Sequence, residues 1–123
     1  MSRYAEVYAY WKRCPAKFWA DAAEEIDWVK PATKVFDPHM GEYGRWFVGA
    51  ECNTAYNCLD RHVKQGRGNQ KALIYDSPVT NTVRSYTYAE LTDEVATRGA
   101  VLQDLGIKKG DRVIVYMPMM AEA

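Results

Sequence analysis

Residues 84–106 constrain this chain most, because a short β-type run passes there directly into an amphipathic helix. Thr87-Tyr88-Ala89-Glu90 has the form of a capping box. In that motif the threonine hydroxyl accepts from the amide three residues on, while the glutamate reaches back to the threonine amide. A strand arriving at such a box becomes a helix there, so one element boundary is set almost to the residue. The helix that follows carries Leu91, Val95, Leu102 and Leu105 inward. Gly106 is its left-handed stop and Ile107 the accompanying apolar contact. Upstream, residues 84–87 and 72–75 read as two strands joined through Ser77-Pro78-Val79-Thr80-Asn81-Thr82, a hairpin. Downstream, Lys108-Lys109-Gly110-Asp111 turns the chain into residues 112–117. The Val113-Ile114-Val115 run there predicts a strand covered on both faces, as in an α/β sheet.

The first half is less punctuated. Ser2 is a plausible N-cap, and Tyr4, Val7, Tyr8 and Trp11 recur at the spacing of one helical face. Cys14-Pro15 ends that helix, because a residue before proline is pushed out of the helical region, and Pro15 opens a second. Phe18, Ala22, Ile26 and Val29 give the second helix its apolar stripe, and Pro31 stops it. Residues 32–49 read as an aromatic-rich connector with a short strand at 45–48. Asn53 caps a third helix with Ala55, Tyr56, Leu59 and Val63 on one face, broken by Gly66-Arg67-Gly68-Asn69. At the other end, Pro118 stands as the first position of a further helix whose first turn would be Met119-Met120-Ala121-Glu122-Ala123. Five residues do not hold a helix alone. A buried-type strand followed by a begun helix is the expectation for an α/β domain cut short.

Composition narrows the functional classes. Lysine plus arginine equals aspartate plus glutamate, 16 against 16, so no basic excess favours nucleic acid or an anionic membrane surface. No apolar run approaches the ~20 residues that span a bilayer. The start, Met1-Ser2-Arg3-Tyr4-Ala5-Glu6, does not read as a secretory signal. Cys14, Cys52 and Cys58 have no framework spacing, so a reducing compartment is the simpler expectation: cytoplasm, or the mitochondrial matrix in a eukaryote.

Each candidate site has a plain structural alternative. Gly66-Arg67-Gly68-Asn69-Gln70 has two glycines but precedes a strand, whereas phosphate loops open a helix so that free amides face the anion; turn chemistry accounts for it. Cys58 and His62 share a helix face, and a zinc site could be drawn from them with Cys52 and His39. The tight paired spacing of structural zinc sites is missing, and a small buried cysteine with a capping or surface histidine is the alternative. Asp60-Arg61-His62 and Glu24-Glu25 are consecutive on helices, so their side chains diverge. Cys14 has no evident base. Trp11, Trp19, Trp28 and Trp46 could stack on a ligand, but an aromatic core is the simpler use. No position is assigned a catalytic, cofactor-binding or metal-binding role.

Several blocks read in order go further: Phe18-Trp19 with Ile26-Asp27-Trp28, Trp46-Phe47, Asn53-Thr54-Ala55-Tyr56-Asn57-Cys58-Leu59-Asp60-Arg61-His62-Val63, Ala72-Leu73-Ile74-Tyr75, Tyr86-Thr87-Tyr88-Ala89-Glu90-Leu91, Leu105-Gly106-Ile107-Lys108-Lys109-Gly110-Asp111-Arg112-Val113, and Val115-Tyr116-Met117-Pro118-Met119. In this order and spacing the chain resembles the start of AMP-forming acetyl-CoA and propionyl-CoA synthetases of the adenylate-forming superfamily. Its short N-terminus and Met119-Met120-Ala121-Glu122-Ala123 look more like the propionyl-CoA synthetases.

The resemblance implies an α/β fold: a helical, aromatic-rich cap region over residues 1–52, then the first strands and helices of a truncated AMP-binding large domain over 53–123. It implies ATP, magnesium and coenzyme A as cofactors of the intact enzyme, and the remainder of the synthetase chain as this segment's partner. The family's functional motifs do not carry over. The chain has no Ser/Thr/Gly-rich loop ending in Gly-x-Pro-Lys, no aromatic-x-Thr-Glu, no Thr-Gly-Asp and no C-terminal adenylation lysine. The segment alone is therefore expected to be inactive and to self-associate through uncovered edges. The alternative is a freestanding interaction module that docks through its aromatic surface.

Overall fold

The computed structural model describes residues 3–123; Ser2, the expected N-cap, lies outside them. The chain divides into two units, Met1–Asn57 and Cys58–Ala123.

In the first unit, α1 (Arg3–Arg13) and α2 (Pro15–Ala23) meet at Cys14 with Pro15 opening the second helix, as the Cys-Pro step predicts. Tyr10 Oη donates to Asp21 Oδ2 at 2.6 Å, and Lys17 Nζ reaches the same carboxylate at 3.1 Å, so the two helices are clasped. The helix expected to run to Pro31 ends at Ala23. Trp28 Nε1 donates to the Ala23 carbonyl at 2.9 Å, which satisfies one helix-end acceptor and turns the chain into β1 (Trp28–Lys30). β1 pairs antiparallel with β4 (Glu51–Cys52), and Trp28 faces Cys52. Between them, β2 (Lys34–Asp37) pairs antiparallel with β3 (Arg45–Val48), with Phe36 opposite Trp46. β3 falls on the expected strand at 45–48; the rest of the expected connector contains one further strand, β2, that local pattern did not reveal, and β1 and β4 flank the connector.

Aromatic rings join these pieces. Phe36 and Trp46 lie 4.5 Å apart, Trp46 meets Trp19 at 6.3 Å, Trp19 meets Phe18 at 5.2 Å, and Phe18 meets Tyr10 at 5.8 Å. Edge-on and offset rings at these separations add to the area they remove from water. Gly44 makes the β2–β3 connection workable: its φ is +73°, and a Cβ there would overlap the Phe36 ring.

Asn53 caps the next helical segment as expected, its Oδ1 accepting from the Tyr56 amide at 3.0 Å. The segment is wider than an α-helix, with π-type turns over Tyr56–Asp60. Gly66, at φ +81°, leaves the helical region and ends it, where the Gly-Arg-Gly-Asn break is predicted.

In the second unit, β5 (Lys71–Ser77) and β6 (Thr82–Thr87) form the expected hairpin, with Ser77 opposite Thr82. β6 runs into α3 (Tyr88–Asp104) through the complete capping box: the Glu90 amide donates to Thr87 Oγ1 at 3.2 Å, and the Thr87 amide donates to Glu90 Oε2 at 2.8 Å. α3 ends as expected at Gly106, with φ +84°. The Ile107 amide donates to the Leu102 carbonyl at 3.1 Å and the Gly106 amide to Gln103 at 2.9 Å, the two bonds of a Schellman motif.

Two expectations fail here. Of the helix face expected inward, Leu91 is half-buried but Val95, Leu102 and Leu105 are exposed. Residues 112–117 form no strand; Ile114 is 91% exposed. A strand exists only where a neighbour takes its amides and carbonyls, and among the described residues none lies alongside. The begun helix after Pro118 is a single turn closed by the Ala123 amide on the Met120 carbonyl at 3.2 Å. Helices and small antiparallel sheets are mixed throughout, as in an α/β segment.

Among the described residues, only Leu59 and Asn57 fall in the buried class. The chain exposes 10260 Å², whereas even two separate compact bodies of these sizes would expose only about 8,000 Å². Much apolar surface is left uncovered.

Candidate functional site

The Gly66–Gln70 region resolves the question of a phosphate cradle. Its carbonyls, not its amides, face the start of α3. The Gly68 carbonyl accepts from the Ala89 amide at 3.0 Å and the Gln70 carbonyl from the Tyr88 amide at 3.0 Å. With Thr87 Oγ1 on the Glu90 amide and Glu90 Oε2 on the Thr87 amide, all four free amides at this helix start are taken. An anion would find acceptors there instead of donors, so the turn reading stands.

His62 packs against Tyr88, ring centroids 4.7 Å apart. Arg67 lies over the same tyrosine at 5.3 Å, with its Nη1 3.0 Å from His62 Nδ1 and its Nε donating to Gln70 Oε1 at 2.8 Å. Arg67 donates only when Nδ1 keeps its lone pair, so this geometry selects neutral histidine. Partial removal from water, then the Arg67 and Arg61 guanidiniums, hold the imidazole below its usual pKa. His62 is thereby used as an acceptor in a turn latch. Among the described residues, no three His, Cys, Asp or Glu side chains gather to hold a metal ion. Cys52 and Cys58 are exposed and Cys14 half-buried, so the small buried cysteine weighed from sequence is not seen. Cys58 sits between Asn57 and Leu59, and it is those two whose side chains turn inward.

The carboxylates held below their usual range are committed to structure. Asp21 is held below the usual carboxylate range first by the Tyr10 hydroxyl and then by Lys17. Asp37 is held down first by the His39 amide, which donates at 3.0 Å, and then by Lys34 at 3.0 Å. Glu90 is held down by the Thr87 amide and hydroxyl. Glu24 closes the end of α2 with its backbone, its amide donating to the Asp21 carbonyl at 3.3 Å. Trp19, Trp28 and Trp46 belong to the aromatic network, whereas Trp11 stacks on Tyr8 at 5.6 Å on a more open face of α1.

One polar residue with a special environment escaped sequence reasoning. Asn57, only 8% exposed, accepts from the Asp27 amide at 2.9 Å and donates Nδ2 to the Asp27 carbonyl at 3.1 Å and the Asn53 carbonyl at 3.0 Å. Its amide imitates a strand neighbour for residue 27. The one available signal was a polar residue two positions before buried Leu59. Arg84, whose Nη1 meets Glu122 Oε1 at 3.2 Å, gave no local signal at all. What the arrangement offers chemically is scaffold: caps, latches, an open aromatic face and an uncovered apolar run at residues 113–117.

Comparison with known proteins places this scaffold in a class. Residues 59–123 match the family described as AMP-binding enzyme, and residues 4–58 match the acetyl-coenzyme A synthetase N-terminus. The chain belongs to the AMP-binding enzyme family and is the N-terminal region of a member of the acetyl-CoA synthetase type. It is 45% identical over 122 residues to acyl-CoA synthetase short-chain family member 3, mitochondrial, of Homo sapiens, a match covering 99% of this chain and 18% of that protein. It is 43% identical over 118 residues to acetyl-coenzyme A synthetase of Mycolicibacterium smegmatis, covering 96% of this chain and 13% of that protein. The chain thus spans less than a fifth of the length of these relatives. No described helix is long and apolar enough to cross a membrane.

Proposed function

We propose that this chain is the opening segment of a short-chain acyl-CoA synthetase. In the intact enzyme a short carboxylate, propionate or acetate, attacks ATP to give an acyl-adenylate and pyrophosphate; the coenzyme A thiol then displaces AMP to give acyl-CoA. Magnesium accompanies ATP. The observation that carries this reading is the consecutive match of both family regions over nearly the whole chain, with relatives named as short-chain acyl-CoA and acetyl-CoA synthetases. Residues 1–52 act as the cap region and 53–123 as the start of the large domain. The rest of the synthetase is the partner, and the exposed side of α3 (Val95, Leu102, Leu105) is surface of the kind such a partner covers.

The segment alone is inactive in this proposal, because it supplies no phosphate-cradling amides, ribose carboxylate or adenylation lysine, and it self-associates. It works in the cytoplasm or the mitochondrial matrix, and propionate is its preferred acid. The test measures AMP formation from ATP, coenzyme A and either propionate or acetate. This polypeptide is assayed beside a longer one in which the same residues are followed by the missing motifs. Turnover by the longer chain alone, faster with propionate, is the expected result. Turnover by the 123 residues alone, or none by either, overturns the proposal.

A further inference from the structure

In the second unit one histidine stands between a turn and the start of a helix. Gly66, at φ +81°, bends the chain back so that Arg67 reaches His62, five residues earlier. Arg67 Nη1 stands 3.0 Å from His62 Nδ1, and its Nε donates to Gln70 Oε1 at 2.8 Å. The guanidinium lies 5.3 Å over the Tyr88 ring, against which His62 also packs at 4.7 Å. The same turn supplies the Gly68 and Gln70 carbonyls, which accept from the Ala89 and Tyr88 amides, both at 3.0 Å. Two amides at the start of α3 thus depend on the turn, whereas the Thr87 and Glu90 amides are held inside the capping box.

We propose that His62 is a proton-operated latch: with Nδ1 unprotonated it holds the 66–70 turn against the start of α3, and a proton on Nδ1 releases that turn. A guanidinium has donors and no acceptor, so Nδ1 must offer its lone pair and the ring proton sits on Nε2. A proton taken up at Nδ1 occupies that lone pair and breaks the bond from Arg67 Nη1. It also sets an imidazolium beside a guanidinium, and the two cations repel where they were bonded. The charges acting on the ring are Arg67 and then Arg61, both positive and both on its own segment. Asp60 and Lys64 lie two positions away along that segment, a spacing at which helical side chains do not face each other. α3 meets the ring with Tyr88, while the carboxylate of its first turn, Glu90, is turned to Thr87. Partial burial and the two guanidiniums hold the imidazole below its usual pKa. The latch is therefore closed above about pH 6.5 and opens as the pH falls below it. All of these groups lie within Cys58–Ala123, so the latch needs no second copy and no partner, and it stands apart from the acyl-CoA synthetase reading.

The test is amide hydrogen exchange read by nuclear magnetic resonance at pH 7.5 and 5.5, with protection taken relative to the intrinsic rate at each pH. The parent chain is compared with His62→Gln and Arg67→Ala. In the parent, protection at Tyr88 and Ala89 should fall about tenfold at pH 5.5, the factor that one hydrogen bond to a charged group contributes. The Glu90 amide should keep its protection, because its acceptor is Thr87. His62→Gln retains an acceptor that does not titrate, so protection at Tyr88 and Ala89 should stay at its pH 7.5 level. Arg67→Ala should leave those two amides at the lower level at both pH values. Imidazole nitrogen shifts should place the ring proton of His62 on Nε2 at pH 7.5, with His39, the other histidine, removed as His39→Gln to assign the signals. No fall in the parent, an equal fall in His62→Gln, an equal fall at Glu90, or a proton on Nδ1 at pH 7.5 overturns the latch. Tyr88 and Ala89 amides already unprotected at pH 7.5 overturn it as well.

Discussion

The two units hold themselves together in different ways. In the second, the β5–β6 hairpin, the capping box and the Gly106 stop are closed by backbone groups and by side chains three residues from their partners. In the first, the connections span long stretches of sequence: Asn57 to Asp27, Trp19 to Trp46, Tyr10 to Asp21. A cap or hairpin survives changes elsewhere because its partners arrive with it. A side-chain lock between distant residues is lost whole when one partner changes. The first unit should therefore be the more sensitive to single side-chain truncations.

The largest effect should come from Asn57→Ala. It removes a buried amide with three hydrogen bonds and leaves the Asp27 amide and carbonyl unpaired, a loss of about 3 kcal/mol. Urea unfolding followed by tryptophan fluorescence would read it, and a change no greater than that of a cap mutant would remove the contrast between the units. Next, Gly44→Ala and Gly106→Ala share the left-handed backbone at φ +73° and +84°, but a Cβ overlaps Phe36 only at position 44. We expect about 1 kcal/mol at Gly106 and at least about 2 at Gly44. Equal losses in paired thermal melts would mean that the Phe36 ring yields freely. Thr87→Ala should cost about 1 kcal/mol, visible as reduced hydrogen-exchange protection in the first turn of α3 with β2–β3 unaffected.

The smallest effect is on pH dependence. His62 titrates below its usual value when folded, so the unfolded chain binds the proton more readily. Stability is full above about pH 6.5 and falls as the pH drops below it. Asp21, Asp37 and Glu90 are also depressed. Their contribution is present above about pH 4 and is lost as the pH falls through their folded values. His62→Gln should flatten the upper window while leaving the acidic one. An unchanged melting profile between pH 7.5 and 5.5 in the parent would show that the Arg67–His62 contact contributes nothing.

How much was legible follows the same division. The capping box, the Schellman stop at Gly106, the Asn53 cap, the break at Gly66 and the hairpin were all readable, since each is completed within a few residues of its signal. The true end of α2 was not: Ile26 and Val29 continue a helical period, yet Trp28 donating to Ala23 and Asn57 holding Asp27 bend the chain into β1. β2 was hidden because its partner is named only by pairing. The candidate site was legible chiefly as a set of blocks in order. The structural use of His62, Asn57 and Arg84 depends on groups brought together by folding.

By itself, the sequence determined the family, the element boundaries that caps and turns enforce, and the β-branched character of residues 112–117. Tertiary structure alone decided whether that run becomes a strand, where α2 stops, and which polar side chains are consumed as locks. The reason is that a cap satisfies its amides locally, whereas a strand or a buried amide needs a partner whose position only the folded chain supplies.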